Sequence, residues 1–344
     1  MREVTLITHY DLSVFRGGEK FIINLANALS EIGCKVSIYS YPFKMGKNNI
    51  DQYLSKNVYY YSGFNFRKVD SDVSYYIYAP FVYKLFIKDT SLIRIAGLHG
   101  FILAIKLSDP VIWNINPIKF IKIHGLKSAI AYYYYKMLKN IELMSFTNIH
   151  IINPFMKNFL SEKLNYKTIY VPIWTNIKRV NKDEFNKFTI LILGANNFTK
   201  GRDICEKIIY HLRANKDIQF ISNININNPY VKNVGYIKEE KLAEILSRAH
   251  VLLYPARLDT FGLSIIEALN CGTPVVTSNI LAHKIFNYPV ILSSTIYEYV
   301  KNLRMLYYIW KSGSYHEIRK KAILEGRKYC KDNVFPKYRK IFKC

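Results

Sequence analysis

Two acidic side chains flank a glycine-led turn late in the chain, and their types and spacing suit the binding of a ligand. The run RLDTFGLSIIEALNCGTPVVT covers residues 257–277, with Asp259 in a loop and Glu267 one turn inside the helix that follows. A helix that begins at a glycine presents unpaired backbone N–H groups and a positive dipole end to a phosphate. The two carboxylates would repel that phosphate, so they fit better as acceptors for the hydroxyls of a sugar or ribose.

The residues around the acids predict a short helix followed by a buried strand. Leu263, Ile266 and Leu269 recur at helical spacing and can face a core. Gly272 then favours the left-handed conformation that ends many helices. The β-branched residues within 273–277 predict a strand, so a helix and a strand together hold the acidic loop in place.

The same run resembles the signature of the retaining glycosyltransferases of family four, which have the GT-B fold. That family carries a Glu, seven residues and a second Glu around a Phe-Gly-Leu turn. Here Phe261, Gly262 and Leu263 form the turn, and Asp259, one methylene shorter, stands in the first acidic position. The resemblance implies that the turn binds the donor, that Asp259 holds hydroxyls of the transferred sugar and that Glu267 accepts from the ribose. The alternative is an ordinary βαβ segment whose acids are solvated.

The second half of the chain opens with another candidate phosphate-binding loop. A predicted strand at 188–193 leads into a loop that contains Gly194, Lys200 and Gly201. Family-four enzymes have a Gly followed by Arg at this place, and a Lys-Gly pair that begins six residues after the Gly. The resemblance therefore implies that these three residues bind the donor diphosphate. A surface lysine without a role is the alternative for Lys200.

This loop departs from the family at one position that matters for phosphate binding. Ala195 stands where the family has its Arg. One bidentate phosphate contact is therefore missing, since Lys200 supplies only a point charge. The sequence leaves open whether Arg202 or Arg257 replaces that Arg, and we include Arg257 among the donor-binding residues.

Two more glycine-containing segments are assigned to the donor by resemblance. Gly17 and Gly18 precede a helix at 19–32, where the family has a Gly-Gly pair that lets the backbone approach the donor diphosphate and the acceptor. A plain tight turn is the alternative. Gly235 and Tyr236 resemble the segment whose backbone reads the base of the nucleotide.

One histidine is a candidate catalytic residue in the first half. His99 ends a predicted strand at 92–98, and a side chain at the carboxyl end of a parallel strand points into the crevice where such sheets bind ligands. Similar enzymes often have a His in a comparable position, near the sugar that is transferred. His124 has the same local sequence and is the competing candidate, and a His hydrogen-bonded for structural reasons is the other alternative.

The order of elements predicts an α/β chain with two Rossmann-like domains facing a central cleft, as in the GT-B fold. We expect an acceptor-binding domain at 1–172, a nucleotide-sugar-binding domain at 173–325 and a C-terminal helix at 326–344 that packs back on the first domain. A helix is predicted at 155–164. Apolar runs predict strands at 4–8, 35–39, 71–78, 92–98, 150–153, 168–171, 188–193, 218–221, 251–254, 273–277 and 290–292.

Composition allows several anionic partners. The formal net charge of the 344 residues is +24, which suits nucleic acid, an anionic membrane surface or an anionic substrate. The segment 115–141 contains five Lys after Pro117 and no acid. It is either an amphipathic basic helix lying on a membrane or a core helix with a solvated Lys face.

The sequence predicts a cytoplasmic protein and leaves open whether it lies on the inner face of a membrane as a peripheral protein. No run of 18 apolar residues, the length of a spanning helix, is present. The N-terminal run MREVTLITHYDL lacks the apolar core of a signal peptide. Five Cys with irregular spacing indicate neither a zinc site nor a disulfide framework.

The sequence thus predicts a retaining, metal-independent glycosyltransferase of the hexosyltransferase type, acting on a lipid, glycan or protein acceptor. Asp70 and Asp72 have the spacing of a metal-binding pair but precede a strand in the first half, so no metal and no cofactor beyond the nucleotide sugar is expected. A sugar-nucleotide epimerase of the same fold is the first alternative. A basic nucleic-acid-binding protein is less favoured, because no reading motif stands out. A nicotinamide oxidoreductase is disfavoured, because no G-x-G-x-x-G turn is present.

Overall fold

The computed structural model divides into two compact units. Unit 1 comprises Met1–Lys106, Ile115–Ile173 and Val334–Cys344, and unit 2 comprises Leu107–Asn114 and Trp174–Asn333. The division after Ile173 lies one residue from the boundary that we predicted, and the C-terminal part of unit 1 begins at Val334 rather than at 326. The structure describes residues 1–14, 17–41, 49–63, 68–77, 87–100, 106–109, 118, 121–122 and 143–344.

Unit 1 is built on a seven-stranded parallel sheet with the strand order β3-β2-β1-β5-β7-β8-β9. A second, two-stranded sheet pairs β4 with β6. The elements are β1 Glu3–Thr8, α1 Gly17–Glu31, β2 Lys35–Ser40, β3 Val58–Ser62, β4 Lys68–Val69, β5 Val73–Ile77, β6 Lys88–Asp89, β7 Ile93–Leu98, β8 Asn148–Ile151, α2 Glu162–Asn165 and β9 Thr168–Tyr170, with 3-10 turns at Leu12–Val14, Asp51–Tyr53 and Pro154–Phe159.

Unit 2 is built on a six-stranded parallel sheet with the order β12-β11-β10-β13-β14-β15. Its elements are β10 Phe188–Ile192, α3 Arg202–Leu212, β11 Ile218–Ser222, β12 Val231–Asn233, α4 Glu239–Arg248, β13 Val251–Tyr254, α5 Leu263–Asn270, β14 Val275–Ser278, β15 Val290–Ser293, α6 Ile296–Lys311 and α7 Tyr315–Arg327, with 3-10 turns at Phe198–Lys200 and Leu281–His283. The helix α8, Lys331–Phe342, ends the chain's regular structure.

The predicted α/β class with parallel sheets is confirmed, because the central strands are short apolar runs that are buried on both faces. Every residue of β10 and of β13 is buried, which is the pattern of a parallel strand covered on both sides. The core of unit 2 packs Phe188, Ile190 and Ile192 of β10 against α3 and α6. The predicted strand at 71–78 is observed at Val73–Ile77, and Tyr78 lies outside the described residues.

The predicted helix at 155–164 is wrong. The chain instead forms the 3-10 turn Pro154–Phe159, then extended backbone at Leu160 and Ser161, and then the four-residue helix α2. Asn153 begins the turn, since its side chain accepts a hydrogen bond from the backbone N–H of Phe155. The apolar residues that suggested one helix are thus divided between a 3-10 turn and a short α-helix.

The last residues of the chain contribute aromatic packing to unit 1. Tyr338 lies 5.9 Å from Phe21 between ring centroids, and Phe342 lies 5.3 Å from Tyr75. Arg2 also donates hydrogen bonds to the carbonyls of Phe342 and Lys343. These contacts hold the C-terminal residues on the sheet of unit 1.

No helix among the described ranges of the chain is long and apolar enough to cross a membrane.

The glycine at the start of α3 is required both by its backbone conformation and by a close approach. Gly201 has a φ of 76°, and a Cβ built on it would lie 2.1 Å from the carbonyl oxygen of Pro255. That carbonyl belongs to the segment that follows β13, so the glycine lets the loop after β10 pack against it. An L side chain would meet both strain at positive φ and a backbone clash.

We expect Gly201→Ala to lower the free energy of unfolding by about 3 kcal/mol or more, which is beyond the usual range for a single small substitution. Gly313→Ala is the matched control, because Gly313 has a φ of 78° but no atom within 4 Å of its built Cβ. It should cost only about 1 kcal/mol, the ordinary penalty for positive φ. Urea denaturation of both variants measures the difference, and equal losses would show that the contact with Pro255 does not matter.

Candidate functional site

A cluster of polar side chains lies at the carboxyl ends of the central strands of unit 2. Tyr254 is the last residue of β13, and its hydroxyl donates a hydrogen bond to Asp259 Oδ2 at 2.7 Å. Lys200 Nζ donates to the same hydroxyl at 3.2 Å and lies 3.9 Å from Asp259 Oδ2. His283 Nε2 lies 3.4 Å from that oxygen. Parallel sheets bind ligands at the carboxyl ends of their strands. We call these four residues the Asp259 cluster.

Asp259 is held as a carboxylate. Its side chain is only 12% exposed, and burial alone would raise its pKa. The positive charge of Lys200, with hydrogen bonds from His283 and Tyr254, outweighs burial and lowers the pKa of Asp259 below its ordinary value. Burial and the neighbouring Asp259 raise the pKa of Tyr254 well above its ordinary value. The tyrosine therefore stays a hydrogen-bond donor at neutral pH.

Glu267 acts on the same tyrosine. It is buried within α5, and its charge is a further cause of the raised pKa of Tyr254, after burial and Asp259. Of the two acids of the sequence motif, Asp259 thus contacts Tyr254 directly, and Glu267 acts on it through its charge. The helix α5 begins after Gly262, which has a φ of 101°, as expected for the glycine-led start.

The residues of the turn have different environments. The side chain of Phe261 is buried, and its ring lies 5.6 Å from the rings of Phe286 and Tyr329 between centroids. Leu263 is half-buried. Phe261 therefore anchors the turn in the core of unit 2, which leaves the backbone as the part of the turn able to contact a ligand.

Sequence reasoning missed two members of the Asp259 cluster. His283 is fully buried, and its Nδ1 lies 2.9 Å from the hydroxyl of Thr277 on β14. That hydroxyl donates to the carbonyl of Tyr254 at 2.6 Å. The signal for Tyr254 was available, since it is the last residue of a predicted strand, which is the argument that we applied to His99. No sequence signal marked His283, which reaches Asp259 through the turn after β14.

Arg202 and Arg257, the two candidates for the role of the Arg that is missing at position 195, already form hydrogen bonds within the protein. Arg257 donates from Nη1 and Nη2 to the two carboxylate oxygens of Asp203, each at 2.7 Å, and from Nη1 to the carbonyl of Phe198 at 2.7 Å. Arg202 donates to Glu206 at 3.1 Å and to the carbonyl of Asn225 at 3.1 Å. Lys200 belongs to the Asp259 cluster, whereas neither arginine has a recorded contact with Asp259. The role of either arginine at the donor stays a prediction.

The remaining predicted donor-binding residues of unit 2 lie at its surface. The N–H of Gly194 donates to Asn223 Oδ1 at 2.9 Å, and Gly194 has a φ of 66°. Gly235 is exposed, and the side chain of Tyr236 is 77% exposed. Their contacts with a nucleotide stay a prediction.

In unit 1, His99 belongs to a buried network rather than to an open surface. Its Nε2 lies 2.6 Å from the hydroxyl of Tyr75, which in turn lies 2.5 Å from His150 Nδ1. Burial, with the neighbouring His150, lowers the pKa of His99 well below its ordinary value, and burial lowers the pKa of His150 to about 4. This geometry favours the structural alternative for His99, whose catalytic role stays a prediction. Gly17 and Gly18 begin α1.

The remaining sequence predictions concern His124, the basic segment 115–141 and the pair Asp70 and Asp72. His124 and most of the segment 115–141 lie outside the described residues. Asp72 accepts a hydrogen bond from the backbone of Glu3 at 2.8 Å, and Asp70 accepts one from the hydroxyl of Thr90 at 2.8 Å. Within the described parts of the chain, no group of three or more His, Cys, Asp or Glu is placed to hold a metal ion.

A family model matches the part of the chain that carries the Asp259 cluster. The model of the family described as glycosyl transferases group 1 matches residues 164–284, a range that contains all four residues of the cluster and Glu267. The O-antigen chain mannosyltransferase B of Escherichia coli is 39% identical over 51 residues, which are 15% of this chain and 13% of that protein. The sequence match thus spans a small part of that relative's length.

Structure comparisons cover the whole chain. Sucrose-phosphate synthase from Thermosynechococcus elongatus aligns with a TM-score of 0.71 at 13% identity over 100% of this chain and 98% of that one. HepE from Anabaena, in complex with UDP and glucose, aligns at 0.69 and 12% identity over 100% and 99%. A TarM variant from S. aureus, in complex with Fondaparinux, alpha-GlcNAc-glycerol and UDP, aligns at 0.73 and 11% identity over 100% of both chains. The chain therefore has the fold of GT-B glycosyltransferases, and its residues 164–284 match the glycosyl transferases group 1 model.

Proposed function

We propose that this protein is a retaining, metal-independent glycosyltransferase that moves a sugar from a nucleoside diphosphate sugar to an acceptor hydroxyl on a lipid, glycan or protein. The observation that carries the proposal is the Asp259 cluster at the carboxyl ends of the unit 2 strands, in the same unit as the buried Glu267. The match of residues 164–284 to the glycosyl transferases group 1 model supports it. Solved relatives of the same fold bind UDP, as their descriptions state.

Each residue of the site has a role in donor binding. Lys200, whose side chain is 33% exposed, supplies the positive charge for the diphosphate, with backbone N–H groups at the start of α5. Glu267 accepts hydrogen bonds from the ribose hydroxyls. Asp259 accepts from hydroxyls of the transferred sugar, and Tyr254 and His283 hold its carboxylate in position. A sugar hydroxyl competes well for such a carboxylate because charge-assisted hydrogen bonds are the stronger kind.

The reaction follows from these contacts. The bond between the anomeric carbon and the diphosphate oxygen breaks, and the acceptor oxygen bonds to that carbon from the same face. The proton of the acceptor hydroxyl passes to the departing phosphate oxygen, so the configuration at the anomeric carbon is retained. Lys200 and the helix-start amides stabilise the charge that grows on the leaving diphosphate. Lys200 supplies the positive charge that a metal ion supplies in metal-dependent transferases. We therefore expect EDTA to leave the rate of sugar transfer unchanged.

The membrane association expected from the +24 charge remains part of this proposal. A vesicle with anionic lipids should bind the protein, and binding should weaken at high salt. The cytoplasmic location also stays a prediction.

A thermal-shift panel of UDP-, GDP- and ADP-sugars tests donor binding. A ligand that binds only the folded protein stabilises it by about 2.7 kcal/mol at 100 times its Kd, so the true donor should raise the melting temperature by several degrees. The corresponding nucleoside monophosphates are the controls, and they should act weakly because they lack the second phosphate. The proposal fails if no nucleotide sugar shifts the transition, or if a monophosphate shifts it equally.

Product analysis then separates transfer from the epimerase alternative. Proton NMR of the product reports the anomeric configuration, and we expect it to match the donor. A free sugar released at the same rate with and without acceptor would favour the epimerase.

A further inference from the structure

At the edge formed by β2 and β3, one face of the unit 1 sheet is polar where a parallel sheet is normally apolar. Strands of a parallel sheet are usually buried on both faces and read as continuous apolar runs. Strand β2 instead alternates, with Val36 and Ile38 buried and Lys35, Ser37 and Tyr39 exposed or half-buried. This is the pattern of a strand with only one covered face.

The neighbouring strand continues the same face. Tyr59 and Tyr61 of β3 are 43% and 42% exposed. In the register of the sheet, Ser37 pairs with Tyr59 and Tyr39 pairs with Tyr61. Thr5 of β1 pairs with Ser37 on the other side. Because paired residues of adjacent parallel strands point to the same face, these five side chains share one surface.

That surface forms a cavity of about 450 Å³, within the range of small-molecule sites. Tyr39 and Tyr61 meet edge to face, with ring centroids 5.4 Å apart and planes at 79°. At the other end, Lys35 Nζ lies 2.8 Å from Glu3 Oε1. Glu3 and Lys35 are the first residues of β1 and β2, so this end lies at the amino edge of the sheet, whereas His99 follows the carboxyl end of β7.

The chemistry of the cavity selects among ligands. Its charged lining residues are Glu3, Asp70 and Lys35. Lys35 pairs with Glu3 and Lys68 pairs with Asp70, so the cavity offers no net positive charge. A phosphate or another polyanion would be disfavoured there. Exposed aromatic faces beside hydroxyls and carboxylates suit a ligand that is apolar on its ring face and polar around its rim. A neutral sugar ring has that character.

We propose that this cavity, which we call the tyrosine cavity, binds a neutral carbohydrate chain and is a site distinct from the donor-binding residues of unit 2. The ring faces of Tyr59 and Tyr61 stack on sugar rings, the hydroxyl of Ser37 exchanges hydrogen bonds with sugar hydroxyls, and the carboxylate of Glu3 accepts hydrogen bonds from them. Its use in holding an acceptor or product glycan rests on the proposed function, whereas the binding itself does not.

Calorimetric titration with neutral trisaccharides of glucose, mannose, galactose and N-acetylglucosamine tests the proposal. At least one should bind wild type, and Tyr59→Leu and Tyr61→Leu should each weaken that binding by about tenfold, the loss expected for an aromatic anchor. Tyr59→Phe keeps the ring and should bind within about threefold of wild type. Tyr230→Leu is the matched control, because Tyr230 is 52% exposed in unit 2 and should leave binding unchanged.

Three results would overturn the proposal. The first is that no trisaccharide binds, or that binding is indifferent to Tyr59 and Tyr61. The second is that inorganic pyrophosphate binds in a way that depends on Tyr59. The third is that light scattering shows a dimer that Tyr59→Leu dissociates, without any sugar binding. The nucleotide-sugar thermal shift should be the same in all variants, so a failure here is distinguishable from a failure of the proposed function.

Discussion

Replacing Glu267 by alanine should remove most of the sugar transfer while the protein still folds. The carboxylate is buried in α5 and its charge acts on Tyr254, and we assign it the ribose hydroxyls of the donor. A hydrogen bond to a charged group contributes about 1.5 to 3 kcal/mol, so losing two of them predicts a fall in kcat/KM of about two to four orders of magnitude. Glu267→Gln keeps the shape and should lose most of this activity as well, which excludes a simple packing defect.

Glu325 offers a matched control for Glu267. It is also a buried carboxylate of unit 2, where it accepts hydrogen bonds from Lys328 and Asn287, but it has no place in the proposed site. Glu325→Gln should lower the melting temperature and leave kcat/KM of the folded enzyme near wild type. Near-normal turnover in Glu267→Ala, with circular dichroism unchanged, would count decisively against the assignment of the ribose site.

Lys200→Met should have the second large effect, on both donor affinity and the pH dependence. Lys200 is the main cause that lowers the pKa of Asp259 against burial, so removing its charge lets burial raise that pKa. In wild type the lowered pKa keeps the carboxylate ionised as pH falls, and the stability that its ionisation contributes is lost only in acid, as pH falls through the folded pKa. In the variant, the acid limb of the pH–rate profile should therefore move to higher pH.

The same substitution removes the proposed diphosphate contact. We expect kcat/KM to fall by about 10²- to 10³-fold, the usual effect of losing one charge-stabilising group. Lys200→Arg keeps the charge and should recover part of the activity. Lys207→Met is the control, because Lys207 is an exposed lysine of α3 in the same unit. An unmoved acid limb together with unchanged donor affinity in Lys200→Met would contradict the role of Lys200.

Much of the fold could be predicted because buried parallel strands leave a simple trace in the sequence. Runs such as FTILI at Phe188–Ile192 and VLLY at Val251–Tyr254 are apolar throughout and bounded by polar residues. The helix expected at 155–164 failed for a local reason, since the extended backbone at Leu160 ends the turn that Asn153 begins. Periodicity alone does not report such a break.

The sequence predicted only those residues of the site that lie within a recognisable sequence run. Asp259, Glu267 and Lys200 lie in recognisable runs, whereas the link from Tyr254 to His283 depends on hydrogen bonds between strands that tertiary structure brings together. Arg257 and Asp203 are 54 positions apart, so their ion pair could not be predicted from the sequence. The alternation in KVSIYS was readable as the pattern of a strand with one covered face, whereas VYYYS, with three successive Tyr, does not show it in sequence.

A crystal structure of the protein with its nucleoside diphosphate sugar is the sharpest test of the proposed donor site. We predict a diphosphate oxygen within about 3 Å of Lys200 Nζ, ribose hydroxyls donating to Glu267 and a hydroxyl of the sugar donating to Asp259. Density for the donor at any other place, with the carboxylates of Asp259 and Glu267 both turned to bulk solvent, would contradict it.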